Sequence, residues 1–246
     1  KRDFHTLSRL MTMSAADFLD EWFETEPLKA IKSTSGIIGT FLGVRSPGTG
    51  YVLLHHYLGE LNGVPRAWGF ARGGTGGLSQ AIARAAKAHG VEIFEDCPVE
   101  KILVENGRAV GVATQKGDEF RADRVISAAH AKVTFTHLVD RSHLPPEYLA
   151  DIDCWNTRGP SCKVNLALDS LPDFPAIPEA KKGLLRGSIE IAPSVDYLER
   201  AYDDAKYGEF SRRPYMDIIL PSMIDPGMAP PGKHVMSIFV QYAPSD

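Results

Sequence analysis

The chain has 246 residues, of which 43% are hydrophobic and 24% are charged. These fractions are typical of globular proteins and exclude disordered and collagen-like classes, and the length suffices for one large domain or two small ones. The formal net charge is −4, and because Lys and Arg are scattered along the chain, nucleic acid is not expected as a partner.

The first third of the chain predicts helices. Ser14 followed by Asp17 resembles a helix N-cap. Apolar residues then recur at helical spacing and predict one buried stripe, formed by Phe18, Leu19, Trp22 and Phe23. Pro27 predicts the first turn of a second helix that runs to about residue 32. A third helix is predicted over 50–61, with an inward face of Tyr51, Leu54, Tyr57 and Leu58.

The middle of the chain predicts a helix followed by strands. The helix covers 78–89, with Ile82 among its inward residues, and Gly90 ends it. A short strand is predicted at 91–94. A three-stranded meander follows, with strands at 99–104, 109–114 and 119–122 and a first turn at Asn106-Gly107. Residues 123–129, which are more uniformly apolar around Val125-Ile126, predict a further strand that is buried on both faces.

The last third predicts an antiparallel sheet with one intervening helix. Strands are expected at 162–168, 187–192, 215–220 and 234–242. The helix is expected over 195–207, with Ser194 as its N-cap. Together these elements predict an α+β fold whose sheet is mostly antiparallel and is covered on one face.

A glycine-rich loop is the strongest local signal, with the sequence Arg72-Gly73-Gly74-Thr75-Gly76-Gly77-Leu78-Ser79. Glycines before a helix let the backbone approach a ligand closely. One hypothesis is therefore an NAD(P)-binding unit that uses Gly73–Gly77, with Asp96 about 20 residues later as the ribose-binding acid. Ser79 stands where that fingerprint requires glycine, and the meander replaces the expected second helix. Tight helix packing is another interpretation.

The order of these motifs resembles the phytoene dehydrogenase-related branch of the amine-oxidase-like flavoproteins. The resemblance is carried by the glycine loop and its helix, by segments of the meander and its flanks, and by a closing segment. These are 72–78, 90–93, 97–102, 106–112, 122–129, and 221–226 with 229–234. It covers nearly the whole chain. The resemblance implies that the parent protein is an FAD-dependent oxidoreductase that acts on a largely apolar small molecule.

The resemblance implies an FAD-binding domain that is assembled from separated pieces of sequence. Residues 66–130 would form part of that domain, and 1–65 with 131–246 would form the substrate domain. Val99 would bind the adenine edge through its backbone, Gly76 and Gly77 would lie near the flavin ring, and Ser127 would pass close to the cofactor.

Two parts of the family pattern are absent from the sequence, the N-terminal GxGxxG and the C-terminal flavin segment. Both chain ends are expected to be cuts through continuing sequence. Without the helix N-terminus that stabilises the pyrophosphate, a chain of these residues alone is expected to be inactive and to bind FAD weakly or not at all. A rival hypothesis is a binding or scaffolding module that has lost its cofactor.

No catalytic residue is assigned, because the flavin itself accepts the hydride. His55, His56 and Tyr57 are pocket candidates, although aromatic residues on a helix are more often core. Neither the histidines nor the three cysteines have metal-site spacing, so no metal is expected. The cysteines, Cys97, Cys154 and Cys162, predict reduced thiols in the cytoplasm, or in the mitochondrial matrix of a eukaryote. The apolar runs are too short for a membrane span, while peripheral membrane association and the oligomeric state are left open.

Overall fold

The structure is a computed structural model that describes residues 2–244, with side chains from residue 4 onward. The sequence ends Lys1, Ser245 and Asp246 therefore lie outside the described residues. The α-helices are α1 (Arg2–Thr12), α2 (Ala15–Asp20), α3 (Glu26–Thr34), α4 (Thr49–His56), α5 (Thr75–Ala88), α6 (Ala131–Val133), α7 (Pro146–Cys154) and α8 (Val195–Lys206). The strands are β1 (Glu60–Leu61), β2 (Val64–Pro65), β3 (Val99–Glu105), β4 (Arg108–Thr114), β5 (Glu119–Arg121), β6 (Ser161–Leu168), β7 (Ile189–Ile191), β8 (Tyr215–Ile219) and β9 (His234–Gln241).

Shorter helical segments complete the description. Thr134–Leu138 is a π-helical turn that continues α6. The 3₁₀ segments are Arg141–His143, Glu179–Arg186, Pro221–Met223 and Pro226–Met228. The chain divides into two compact units: residues 1–81 with 158–246 form the first, and residues 82–157 form the second. The predicted division into flavin and substrate domains has different boundaries and stays a prediction.

The first helices begin where the sequence predicts, but their buried faces differ. The Ser14 hydroxyl accepts a hydrogen bond from the Asp17 N–H at 3.0 Å and caps α2. The predicted apolar stripe is wrong beyond Leu19, because α2 ends at residue 20 and the Trp22 side chain is 70% exposed. On α4 the buried residues are Thr49, Gly50 and Leu53, and none of them belongs to the predicted inward face.

The predicted antiparallel sheet of the first unit is confirmed. Its strand order is β6-β9-β8-β7, and every pairing is antiparallel. Helix α8 begins after Ser194, whose hydroxyl accepts from the Tyr197 N–H at 3.0 Å. One core joins α8 to the sheet through Leu198 and Tyr215. The other covers the opposite face around Leu185 and Met236, so the prediction that only one face is covered is wrong.

The second unit contains the predicted meander, in the order β3-β4-β5. Asn106 and Gly107 form its first turn with φ angles of 48° and 73°, the positive values that two-residue hairpins favour. Gly111 lies in β4 where the pairing with β3 is irregular, opposite Arg121 of β5. A Cβ atom at Gly111 would overlap the carbonyl oxygen of Phe120, so the two strands approach closely at this position.

Two predicted strands do not form, and one predicted helix face is not buried. Residues 91–94 and 123–129 are not strands, because neither pairs with another described segment, and strands are stabilised by partners. Ile126 was expected to be buried and is 94% exposed. On α5, Ile82 was expected to face inward and is 63% exposed.

In the described part of the chain, no helix combines the length and the apolar character that a bilayer crossing requires.

Candidate functional site

Val99 is the first residue of β3, an edge strand that pairs only with β4 among the described residues. Its partner across the ladder is Thr114. The Thr114 N–H donates to the Asp118 carbonyl at 2.9 Å, and the Thr114 carbonyl accepts from the Gly117 N–H at 3.0 Å. Both backbone groups of Thr114 are therefore used by the turn that leads to β5, on the side away from β3.

The neighbouring pair shows where the Val99 backbone points. The Gln115 N–H donates to the Pro98 carbonyl at 3.0 Å, which is a bond between the two strands. The Val99 N–H belongs to the same planar peptide as the Pro98 carbonyl and points the opposite way, and the Thr114 N–H that could reach the Val99 carbonyl is already used. Val99 and Thr114 therefore form a non-hydrogen-bonded pair, just before the register shift between Val99 and Lys101. We conclude that the N–H and C=O of Val99 face the open edge of the meander, where they are available as a donor and an acceptor.

Gly76 and Gly77 lie in the first turn of α5 and have different surroundings. A Cβ atom at Gly77 would lie 2.6 Å from the Arg72 carbonyl oxygen, so this glycine is required by the loop itself. A Cβ atom at Gly76 would have no heavy atom within 4 Å. Gly76 therefore leaves space on its open side, and its backbone is accessible to a ligand.

Ser127 lies in the second unit beside a cavity of about 430 Å³ that is lined mostly by apolar residues. Ile102 and Val104 of β3 line the same cavity, together with Thr134 and Phe135. The Ser127 and Thr134 hydroxyl oxygens are 2.8 Å apart, and the Ser127 hydroxyl also accepts from the Ala129 N–H at 3.3 Å. The Ser127 hydroxyl thus has partners inside the protein, and a contact with a cofactor would use its backbone.

The features of these residues fit a flavin dinucleotide in part. The open backbone pair of Val99 matches the donor and acceptor of an adenine edge, and Gly76 permits close approach. Val99 and Ser127 belong to the second unit, where β3 contributes to the cavity beside Ser127, although Val99 does not line it. Gly76 and Gly77 belong to the first unit.

The surroundings of the glycine loop do not form the nucleotide-binding unit of the NAD(P) hypothesis. Residues 66–71 precede the loop and are not a strand, and residues 91–94 after α5 are not one either. Asp96 has a φ of 50° in an exposed turn. A βαβ unit requires both strands to be present and parallel.

The three pocket candidates on and after α4 make local contacts. His56 Nδ1 is 3.0 Å from the Val52 carbonyl oxygen, and the Tyr57 hydroxyl accepts from Lys32 Nζ at 3.1 Å. The ring of His55 packs near that of Tyr51. These contacts hold the end of the helix, and they indicate no catalytic arrangement.

A carboxyl pair on the sheet was missed by the sequence analysis. Glu190 of β7 lies directly opposite Asp217 of β8, so both side chains are on the same face. The Thr34 hydroxyl donates to Glu190 at 3.1 Å, and the Ser188 hydroxyl donates to Asp217. Burial raises the pKa of Glu190 and is the largest effect, while the hydrogen bond from Thr34 lowers this pKa. The nearby charges of Asp217, which raises it, and Lys32, which lowers it, contribute less. No sequence signal could have shown this, because the pairing depends on register.

We expect Glu190→Gln to stabilise the protein at neutral pH. Because the folded pKa of Glu190 is raised, the folded state binds more protons than the unfolded state above the ordinary Glu pKa of about 4.3. The native free energy of unfolding therefore falls as pH rises through that window, while Gln keeps an oxygen that can accept from Thr34. Thermal unfolding midpoints at pH 4 and pH 7.5 measure the effect: the gain should appear only at the higher pH.

The control for this prediction is Glu24→Gln, in an exposed irregular segment of the same unit, whose midpoint we expect to equal that of the native protein at each of the two pH values. A Glu190→Gln variant that is less stable than the native protein at pH 7.5 would contradict the prediction.

Comparisons with known proteins identify the family. The family model described as flavin containing amine oxidoreductase matches residues 6–245. The "Pyridine nucleotide-disulfide oxidoreductase domain-containing protein 2" of Rattus norvegicus is 41% identical over 241 residues, which are 96% of this chain and 42% of the rat protein. The chloroplastic prolycopene isomerase of Daucus carota is 27% identical, over 95% of this chain and 34% of its own length.

A solved structure shows the same fold. An oxidoreductase from Methanosarcina mazei aligns with a TM-score of 0.62 and 21% identity, over 99% of this chain and 51% of that one. The chain therefore spans about two fifths of the rat relative and half of the solved structure. Because the family model covers almost every residue, the resemblance inferred from the sequence is confirmed, and the chain belongs to the flavin containing amine oxidoreductase family.

Proposed function

We propose that this chain is part of an FAD-dependent oxidoreductase that oxidises or desaturates a largely apolar small molecule. The family membership implies a flavin. The observation that carries the choice of FAD is the orientation of Val99, whose free N–H and C=O lie on the open edge of β3 and suit an adenine edge. When bound, the flavin supplies the hydride acceptor.

The residues of the chain have separate roles in this proposal. Val99 binds the adenine through its backbone, and the backbone at Ser127 passes beside the cofactor. The loop that contains Gly76 and Gly77 borders the flavin ring and the substrate cavity, where the absence of a side chain at Gly76 allows close approach. Helix α5 and the meander are one piece of a split FAD-binding domain, and the four-stranded sheet with its helices belongs to the substrate domain.

The proposed apolar substrate is supported by the name of one relative, the prolycopene isomerase, which refers to a hydrocarbon.

The proposal also distinguishes the activity of this chain from that of the whole protein. The 246 residues contain no GxGxxG, and the pyrophosphate of FAD is ordinarily stabilised by the helix N-terminus that follows this motif. We therefore propose that the chain alone is inactive and retains little or no FAD.

The visible absorbance spectrum of the purified protein tests the proposal. We expect the whole protein, with the sequence that flanks this chain, to be yellow and to release FAD on denaturation. The 246-residue chain should be colourless and should show little heat when titrated with FAD in a calorimeter.

A whole protein that is colourless, and that does not respond to added FAD, would contradict the proposal and favour the scaffolding module. Calorimetry with NAD and NADP tests the remaining rival, because the NAD(P) hypothesis requires the chain alone to bind one of them. A chain that binds FAD as tightly as the whole protein would contradict the proposed need for the flanking sequence.

A further inference from the structure

The glycine loop before α5 needs an external anchor. Gly73 and Gly74 have φ angles of 74° and 78°, so two successive residues adopt a left-handed conformation that glycine tolerates. The same freedom makes such a loop costly to order. A contact from elsewhere in the chain is therefore expected to fix it.

Asp225 supplies this contact from 152 residues further along the chain. Its Oδ2 accepts the Gly73 N–H at 2.8 Å, and its Oδ1 accepts the Gly227 N–H at 3.0 Å. The two backbone bonds, led by that of Gly73, lower the pKa of Asp225, with a smaller contribution from the charge of Arg72. Next to this bond, a Cβ atom at Gly74 would lie 3.3 Å from Cε of Met228.

Asp225 is itself connected to β9, one of the two central strands of the sheet. Its N–H donates to the Pro221 carbonyl at 2.9 Å. The adjacent Ser222 hydroxyl accepts from the Val235 N–H of β9 at 3.1 Å and lies 3.1 Å from His234 Nδ1. A continuous series of short contacts thus runs from β9 through Pro221–Asp225 to the glycine loop.

We propose that Asp225 is a positioning residue that holds the glycine loop, and with it Gly76, in a fixed position relative to the four-stranded sheet. This inference rests on the proposed function, which places the loop beside the flavin ring. It assigns a role to the closing sequence segment 221–226. A displacement of the loop by about 1 Å near the reacting atoms is enough to lower the reaction rate greatly.

Three substitutions in the whole protein separate the loop bond from the local turn. Asp225→Ala removes both backbone bonds. Asp225→Ser keeps a short hydroxyl that can accept the Gly227 N–H, as Ser does in such turns, but it is too short to reach Gly73. Asp225→Asn keeps the size but has a single acceptor oxygen, so it can accept from the Gly73 N–H or from the Gly227 N–H and not from both. The matched control is Asp169→Ser, which breaks the exposed contact with Lys233.

Two readouts are measured on each variant. Hydrogen exchange of peptides that cover 70–77 reports the loop, and visible circular dichroism of the bound flavin reports the ring environment. We expect Asp225→Ala and Asp225→Ser to speed exchange at 70–77 by about tenfold or more, the effect of one lost hydrogen bond to a charged group, and to change the flavin signal, while Asp225→Asn should have an equal or smaller effect. Asp169→Ser should change neither.

Each of the other outcomes contradicts one part of the argument: the anchoring role, the link to the cofactor or the proposed function. Unchanged exchange at 70–77 in Asp225→Ser would overturn the anchoring role. Faster exchange with an unchanged flavin signal would overturn the link to the cofactor, while a yellow whole protein would leave the proposed function standing. If Asp225→Ala does not fold, Asp225→Ser decides. A colourless native protein would contradict the proposed function, and exchange at 70–77 would still test the anchor.

Discussion

In the whole protein, Val99→Pro is expected to weaken FAD binding by about tenfold or more while leaving the thermal midpoint almost unchanged. Proline removes the N–H that faces the open edge of β3, and losing a donor to a buried ligand acceptor costs about 1–3 kcal/mol. The fold loses little, because this N–H makes no ladder bond with β4 and proline is tolerated at the first residue of a strand. Calorimetric titration of the deflavinated protein measures the affinity.

Val99→Ala is the matched control for this substitution. It shortens the side chain and keeps both backbone groups, so FAD affinity should be retained. Native affinity in both the Pro and the Ala variant would show that the backbone of Val99 does not bind the adenine. Equal losses of affinity in both would mean that the side chain carries the contact.

Gly111→Ala is expected to lower the free energy of unfolding of the second unit by about 1–3 kcal/mol, the usual cost of forcing extra atoms into a packed site. The added methyl group would overlap the Phe120 carbonyl oxygen and approach the Arg121 Cα atom to 3.1 Å. These neighbours are backbone atoms, so β5 must move away from β4. Urea unfolding followed by hydrogen exchange at 108–121 should show earlier opening of this strand pair.

The control for Gly111 is Gly117→Asn in the second turn of the meander. Gly117 has a φ of 89° and open space around its missing Cβ atom, and Asn tolerates such angles better than other residues. We expect its exchange pattern to change much less. If Gly111→Ala and Gly117→Asn behave alike, the close strand approach at Gly111 has no energetic importance.

Local signals in the sequence predicted local structure well. The caps at Ser14 and Ser194 and the Asn106-Gly107 turn depend on a few neighbouring residues, and all three form as expected. The strands at 91–94 and 123–129 failed for the opposite reason, because a strand needs a partner and none of the described segments supplies one. An apolar run indicates only that a segment can be buried.

The properties of the candidate site could not be predicted from the sequence. Val99 was named through a family resemblance, but the direction of its backbone depends on which ladder pairs are hydrogen-bonded. The Glu190 and Asp217 pair depends on strand register. The contact between Asp225 and Gly73 joins positions 152 residues apart. Each of these features is set by pairing across the fold, which residue patterns do not encode.

The last strand has a consequence for synthesis of the protein on the ribosome. The Tyr242 hydroxyl donates to the Leu42 carbonyl, and Gln241 Nε2 donates to the Ile37 carbonyl, across 200 and 204 residues of sequence. Ile37 and Tyr242 belong to one core, which closes only after the end of β9 has been translated. The first helices are made early and acquire their final partners late, so they are the segments that chaperones would have to shield during translation.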